Sequence, residues 1–432
     1  MKKLPVLMAI GAAVIGSGCS SSSKNSASQG SSPTQPAGSV ASAGNLTASA
    51  PGVTATTITI GLMADFTGAA SSTSTNVVAT VQARLDEQNA AGGVDGRKLV
   101  LATADGKSDP TQVATAAQIL VQQDHIFGLV SNEPFLFGGY RYLAQQGVPV
   151  TGDGYDGPEW GNTSNMFAIA PPTFTNYNGK TYNYTTEAVF LKSIGATSVA
   201  IITNSGSPSA ATSVNEQIAA DTSLGIRDCY KNVSIPFGAT DYTPAVLAIT
   251  QAHCDTVIGV FPEQGNIALA SALHNASYKG IQYYSTSYDP NSVINPTNRA
   301  ILEGSYTSGL LNTRPEVRSY LDTLHKYIPG YTSDIPGFNP TTAWEATDLM
   351  IKGLEIAGNN PTRASFISAT RQLKGYTIGG LASSPLDFNY LTGNLAPTMC
   401  QNYLRLVGDS FQPVPTSGNA TCGKIISISA SS

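Results

Sequence analysis

Two successive series of alternating strand-like and helix-like segments constrain this chain more than any other feature. Apolar runs of strand length stand at Ile58–Phe66, Leu99–Ala104, Ile126–Val130 and Val148–Thr151. Between them apolar residues recur at helical spacing, as at Val77, Val78, Val81 and Leu85 before Gly92-Gly93, and again over Gly138–Gln146. A second series starts near Asn176. Its strands are expected at Val199–Thr203, Asn232–Phe237, Thr256–Phe261 and Ile281–Ser285, with helices around Ala211–Ala220, Tyr242–His253 and Ile267–Asn275. Three helical stretches, Glu316–Tyr327, Thr342–Ala357 and Ala364–Leu373, follow without strands between them, and short strand-like pieces including Tyr403–Val407 finish the chain. Parallel strands need crossover connections, so each series predicts a doubly wound parallel sheet in an α/β fold. Ligands of such sheets sit beyond the carboxyl ends of the strands. Two such edges facing each other make a cleft, which implies a binding function.

Local signals support the helix starts. Asp109-Pro110-Thr111 offers an N-cap followed by proline at the first helical position, where its missing N–H costs nothing. The same device is expected at Asn339-Pro340-Thr341 and Asn360-Pro361-Thr362.

The beginning of the chain reads as an address. Lys2 and Lys3 precede an uncharged apolar run from Leu4 to Ile15, which has the layout of a secretory signal and is too short to span a bilayer. Gly16-Ser17-Gly18-Cys19 resembles the bacterial lipobox, with Gly16 standing where such signals usually carry an aliphatic residue. That resemblance implies a signal peptide over 1–18 and a lipid on Cys19; a plain secretion signal with a spare cysteine is the alternative. From Ser20 to about Ala55 the chain is mostly Ser, Ala, Gly, Thr, Pro and Asn with Lys24 as its one charge, so residues 19–55 are expected to form a flexible tether. With 23 basic against 28 acidic side chains the chain lacks the positive surplus that nucleic-acid binding needs. An anionic body would meet a membrane only through the lipid anchor.

Cysteine use fits an extracytoplasmic protein. Setting Cys19 aside leaves Cys229, Cys254, Cys400 and Cys422, an even number that suggests two disulfides. Of three connectivities, local pairing of Cys229 with Cys254 and of Cys400 with Cys422 is favoured, because Cys229 and Cys254 each stand just before a strand and neighbouring parallel strands start side by side. No Cys-x-x-Cys pair occurs and the four histidines are scattered, so no metal site is expected.

Enzymatic readings find little support. Gly152-x-Gly154-x-x-Gly157 matches a dinucleotide fingerprint, yet Pro158 follows at once and no acidic residue stands about 20 positions on, so a tight loop at a cleft edge is expected and no cofactor. No Gly-x-Ser-x-Gly occurs to carry a hydrolase nucleophile. No catalytic residue is assigned, and an exported hydrolase is kept as the alternative class.

From Thr57 to Thr151 the chain resembles the solute-binding proteins of ABC importers, specifically the branched-chain amino-acid-binding type. The likeness rests on an ordered set: Ile58-Thr59-Ile60-Gly61-Leu62 with Thr67-Gly68, Ala90-Ala91-Gly92-Gly93-Val94-Asp95-Gly96, Asp105 with Asp109-Pro110, Phe127-Gly128-Leu129-Val130-Ser131, Gln146-Gly147-Val148-Pro149-Val150 and Gly154-Tyr155-Asp156-Gly157-Pro158-Glu159. It is fainter over Val199–Gly309 and returns at Ser384-Pro385-Leu386-Asp387-Phe388 and Leu391-Thr392-Gly393-Asn394. The resemblance implies two doubly wound lobes with a three-stranded hinge and a ligand cleft between them, residues 56–176 plus 312–385 forming one lobe and 177–311 plus 386–428 the other. It implies crossings near Asn176, Leu311 and Leu386, a monomer, and docking of the closed form on a membrane permease. A sensory lipoprotein that presents ligand without transport shares all these features.

Carried over position by position, the family's ligand contacts fall on Asp65, Phe66 and Thr67, on Asn132 and Glu133, on Tyr155 and Asp156, on Ser205, on Phe261 and Glu263, and on Ser287 and Tyr288. Asn132 stands where the family has a carboxylate-gripping serine, and Ser287 roughly where it has a glutamate for the ligand amine. Asp156 would repel a ligand carboxylate and Ser287 cannot neutralise an ammonium. These departures predict a neutral or cationic polar small molecule, with an apolar face for the aromatic residues to cover.

Overall fold

The first series folds as the alternation predicts. A computed structural model describes residues 46–154, 157, 159–170, 180–206, 210–393 and 395–429. The expected signal peptide, Cys19, most of the tether, Tyr155, Asp156 and the crossing near Asn176 lie outside the described residues. In chain order come β1 (Thr57–Ala64), α1 (Val77–Ala90), β2 (Lys98–Asp105), α2 (Pro110–Gln122), β3 (Gly128–Asn132), α3 (Tyr140–Gln145), β4 (Val150–Gly152), α4 (Glu159–Asn162) and β5 (Met166–Ala168). The five strands form one parallel sheet in the order β2-β1-β3-β4-β5. Side chains alternate across it. Ile58, Ile60 and Leu62 of β1 share a core with Val81 and Leu85 of α1, whereas Met63 joins Val113, Ala117 and Leu120 of α2 on the other side. Gly61 leaves room on that second face, where a Cβ would fall 2.8 Å from Ile126.

The second series supplies β6 (Lys180–Tyr184), α5 (Thr186–Ser193), β7 (Ser198–Asn204), α6 (Ala210–Ser223), β8 (Arg227–Ile235), α7 (Thr243–Gln251), β9 (Thr256–Val260), α8 (Glu263–Asn275), β10 (Ile281–Tyr284), α9 (Pro290–Ile294), α10 (Pro296–Leu302) and β11 (Tyr306–Ser308). There follow α11 (Pro315–Tyr327), α12 (Phe338–Ala357), α13 (Arg363–Gln372), β12 (Thr398–Gln401), β13 (Tyr403–Val407), β14 (Ser410–Val414) and β15 (Thr421–Ser429). The second sheet runs β14-β13-β11-β10-β9-β7-β8, parallel from β8 to β11 and antiparallel through β13 and β14. A third, antiparallel sheet, β12-β15-β6, packs on α5 and was not foreseen from sequence.

α12 covers the first sheet, burying Leu349, Met350 and Leu354 in the same core as β1. A separate core joins Val317, Tyr320 and Trp344 to Leu310, Leu311, Tyr288 and Leu404. Leu386 bridges Tyr376 and packs with Phe388 and Tyr390 in the first core, so the chain leaves that core only after Tyr390.

Three expectations are corrected. Residues 46–55 are docked instead of free: Val53 is buried, Thr47 N–H donates to Asn360 Oδ1 at 2.9 Å, and the fully buried Arg97 donates to the carbonyls of Thr47, Thr54 and Asn359. Asp109 caps α2 as predicted, accepting from Thr111 N at 2.7 Å. Asn339 does not cap α12, whose N-cap is Gly337 at φ 94°, a conformation that suits glycine. Asn360 does not cap α13 either; Thr362 does, in a capping box with Ser365.

The disulfides pair as favoured, though the first for a different reason. β8 and β9 are not neighbours, since β7 lies between them. The β7–β8 ladder shifts register at Val199/Ala200, leaving Cys229 out of the pairing and free to reach Cys254 with a Cα separation of 5.8 Å. Cys400 and Cys422 are direct register partners on β12 and β15. Among the described residues no helix is long and apolar enough to cross a membrane.

Candidate functional site

The carboxyl ends of the two parallel sheets meet. Phe135, in the turn after β3, lies with its ring centroid 5.7 Å from that of Phe237, which follows β8. A Cβ on Gly206, just after β7, would fall 3.1 Å from Phe237 and 3.4 Å from Phe135. Nearby, a Cβ on Gly238 would sit 3.9 Å from Ala69, and α8 lies against the turn Ser71–Ser74. Strand-end loops from both sheets therefore close on each other along one side.

On the first sheet three adjacent strands deliver acids to one place. Asp65 follows β1, Asp105 ends β2 and Glu133 follows β3. Asp65 is fully buried, with Oδ1 accepting from Ser108 N at 2.6 Å, and Glu133 is buried, with Oε1 accepting from Phe135 N at 2.9 Å. Both carboxyls crowd Gly106, and Asp65 Oδ2 and Glu133 Oε2 find no hydrogen-bond partner among the described residues. Burial and the neighbouring carboxylate hold Glu133 well above the usual range, and burial raises Asp65. The absence of a side chain at Gly106 makes this crowding possible: a Cβ there would lie 1.9 Å from Glu133 Oε2.

Asp105 has a different task. Its carboxylate accepts from Phe66 N at 2.9 Å, Thr67 N at 3.2 Å, Thr67 Oγ1 at 2.6 Å and Lys107 N at 2.9 Å. Burial works to raise it, but these donors prevail and its pKa is lowered. Phe66 is half-buried and Thr67 exposed, so this carboxylate shapes a loop that solvent or ligand reaches. Asn132 turns away, its Nδ2 donating to Thr342 Oγ1 of α12 at 3.0 Å, while its buried Oδ1 has no hydrogen-bond partner among the described residues.

On the second sheet Glu263 and Ser287 come together. Glu263 Oε2 accepts from Ser287 Oγ at 2.5 Å and Oε1 from Ser292 Oγ, and burial, with Asp289 nearby, pushes the carboxyl up to about 8. Phe261 fills the core against Tyr242, ring centroids 5.1 Å apart, and Tyr288 fills another against Phe411 while its hydroxyl donates to Asn312. Ser205 is exposed just beyond β7.

The predicted residues thus divide. Asp65, Asn132, Glu133, Glu263 and Ser287 form the buried floor behind the strand ends, Phe261 and Tyr288 pack the interior, and Phe66, Thr67 and Ser205 remain accessible. Sequence reasoning passed over Asp105, Phe135, Phe237 and Val260, the last of these 38 % exposed at the end of the central strand β9. Their signal was position alone, since each ends or closely follows a parallel strand. A groove of about 840 Å³ between α7, α8 and α10, lined by Val246, Leu247 and Ile267 among others, involves none of the described residues expected at the site.

Two wound sheets that present strand ends to each other are the architecture of a bilobal binding protein. Comparison with known families agrees. A family profile described as periplasmic binding protein matches residues 57–395, and the chain belongs to that family. Its fold is shared with a fatty acid ABC transporter substrate-binding protein from Thermomonospora curvata (16 % identity, TM-score 0.70, 86 % of this chain and 94 % of that one). It is shared also with a leucine binding protein from Thermotoga maritima (16 %, 0.68, 82 % and 97 %). A third is a solute binding protein of an ABC transporter from R. palustris in complex with benzoate (13 %, 0.65, 86 % and 97 %). No curated protein sequence matches the chain.

Proposed function

We propose that this protein is an extracytoplasmic solute-binding lipoprotein, tethered through Cys19, that captures a small polar organic ligand by lobe closure and delivers it to the permease of an ABC importer. The observation that carries the reading is the meeting of strand-end loops from both sheets at Phe135 and Phe237. A ligand touching both edges binds the closed arrangement better than the open one, and the closed population is the form a permease distinguishes. One lobe comprises the first sheet with α11 to α13 and the chain as far as Tyr390; the other comprises the second and third sheets.

The ligand is neutral or cationic. The similar proteins named for a fatty acid, leucine and benzoate have carboxylate ligands. Here Asp65, Glu133 and Asp105 crowd the first edge, and Asp156 follows four positions after the end of β4 in the sequence, so a ligand carboxylate would meet acids. Phe66, Thr67, Ser205 and Tyr155 are the contacts assigned to it.

Native mass spectrometry of freshly purified protein, followed by a thermal-shift screen of amines, polyols, amides and carboxylates, tests this reading. Stabilisation by a neutral or cationic compound without its turnover supports it. Hydrolysis of an ester, amide or glycoside would replace it with an enzyme, and leucine stabilising as strongly as any compound would overturn the ligand class.

A further inference from the structure

We propose that Asp65, Glu133 and Asn132 form the seat for the charged head of an organic cation that carries N–H donors, a primary ammonium, amidinium or guanidinium. The inference rests on the solute-binding reading and narrows its ligand class.

Topology brings the three residues together. Ala64, the last residue of β1, is the register partner of Asp105 on β2 and of Asn132 on β3. One step further, Asp65 and Glu133 leave neighbouring strands on the same edge. Their carboxyls converge on Gly106, where a single point lies 1.9 Å from Glu133 Oε2 and 2.9 Å from Asp65 Oδ1. Glu159, after β4, extends the acidic edge by one more strand.

This cluster is set apart by the donors it lacks. Asp65 Oδ1 accepts from Ser108 N and Glu133 Oε1 from Phe135 N. The other oxygens, Asp65 Oδ2 and Glu133 Oε2, have no hydrogen-bond partner among the described residues, and neither has Glu159 Oε1. Asn132 adds a neutral acceptor. Its Nδ2 donates to Thr342 Oγ1 at 3.0 Å, which leaves Oδ1 as the free end, again without a partner among the described residues. All four side chains belong to residues no more than 3 % exposed. The ion pairs among the described residues include none of them.

Elsewhere the chain supplies donors to its buried carboxylates. Asp105, on the same edge, receives them from Phe66, Thr67 and Lys107. Glu263, on the opposite edge, has a serine hydroxyl on each oxygen. A buried acceptor left without a donor costs about 1–3 kcal/mol, so the acceptors at Asp65, Asn132 and Glu133 call for donors from outside the chain. A polyol could meet them singly. Two buried carboxyls this close, however, are ionised together only against a positive charge. An ammonium, amidinium or guanidinium brings both the charge and several N–H groups, whereas a quaternary ammonium brings charge alone. Phe66, half-buried beside Asp65, offers a ring face to such a head, and the exposed Ser205 and Val260 on the opposite edge suit an uncharged body.

Isothermal titration calorimetry of the full chain tests the proposal, with benzylamine, agmatine and 1,4-diaminobutane as probes and benzyltrimethylammonium and benzyl alcohol as controls. At least one of the N–H cations is expected to bind about 10-fold or more tightly than either control. Asp65→Asn and Glu133→Gln, measured separately, are expected to weaken that binding about 10-fold or more. Leu247→Ser, in the groove beside α7, is expected to leave it unchanged. Controls that bind as well as the amines overturn the proposal, as do amines that do not bind at all or affinities that both acid variants retain. Calcium chloride titrating the wild type but not Asp65→Asn would make the occupant a metal ion and overturn it too. If neither acid variant folds, the wild-type comparison of the amines with the two controls decides. A protein that takes up a neutral solute and no amine loses this inference and keeps the proposed function. Turnover of an ester, amide or glycoside removes the proposed function whatever the amines do.

Discussion

Phe135 and Phe237, separated by about a hundred positions in the chain, lie 5.7 Å apart between ring centroids and join the loop after β3 to the loop after β8. Phe135 is almost wholly buried by this contact and its own lobe, and Phe237 packs against the core of the opposite sheet. An aromatic pair of this kind contributes about 0.5–1.5 kcal/mol beyond its buried area. Phe237→Ala is therefore expected to weaken ligand binding by roughly 2- to 10-fold and to raise the radius of gyration of the unliganded protein in solution scattering. Affinity and scattering both unchanged would mean that the pair does not hold the edges together.

Gly106 is small because Glu133 comes so close. A Cβ would approach Oε2 to 1.9 Å and Asp65 Oδ1 to 2.9 Å, and both acids are buried. Gly106→Ala is expected to cost about 1–3 kcal/mol in chemical denaturation, as overpacking does. Combining it with Glu133→Ala should recover part of that loss, because the two changes are coupled. Additive costs in the double variant would sever the link between the glycine and the acid.

How far the sequence reached can be seen in particular elements. β1 and α1 were legible because Ile58, Ile60 and Leu62, and Val81 and Leu85, carry the period of their element. β6 and β15 were not, since each pairs with a strand more than two hundred residues away and Lys180–Tyr184 has no apolar alternation to announce it. The level of the site was also legible, because strand ends are fixed by topology. The fate of each side chain there was not. Whether Glu133 meets a ligand or Asp65 depends on β1 and β3 lying side by side, which spacing along the chain does not encode.

Arg97 ties the segment before β1 to the body of the first lobe. Its guanidinium reaches Thr47, Thr54, Asn359 and Asn360, a planar set of donors that an ammonium cannot reproduce. Arg97→Lys is expected to release residues 46–55, seen as faster cleavage there in limited proteolysis, with a stability loss of about 2–4 kcal/mol. Unchanged protection of the segment would assign its docking to the buried Val53, to the Thr47–Asn360 bond and to the Ser49 hydroxyl, which donates to the Pro361 carbonyl at 2.7 Å.

The Cys229–Cys254 bridge closes a loop with a sequence separation of 25 residues across β7. On the chain-entropy model its loss costs about 3 kcal/mol. Replacing both cysteines with serine should lower the denaturation midpoint accordingly, and reduction of the wild type should shift it the same way. A double-serine variant as stable as the oxidised protein would leave the bulge at Cys229 without an energetic reason.

Asp105 offers a test of the loop that carries Phe66 and Thr67. Four donors converge on its carboxylate, one of them the Thr67 hydroxyl at 2.6 Å, and together they outweigh the cost of its burial. A carboxylate whose pKa is lowered on folding contributes stability above its unfolded pKa and loses it as pH falls. Asp105→Asn keeps the shape but removes the charge, and the Thr67 hydroxyl, which now donates to the carboxylate, can then only accept from the new amide. At pH 6 the variant is expected to be about 1–3 kcal/mol less stable than the wild type, the worth of a hydrogen bond to a charged group. The gap should narrow as the pH drops below about 3.8, where the wild-type carboxyl itself begins to protonate. Because Thr67 is exposed beside the proposed ligand contacts, affinity at pH 6 should fall as well. A gap that stays constant down to pH 3 would show that the charge of Asp105 does not organise this loop.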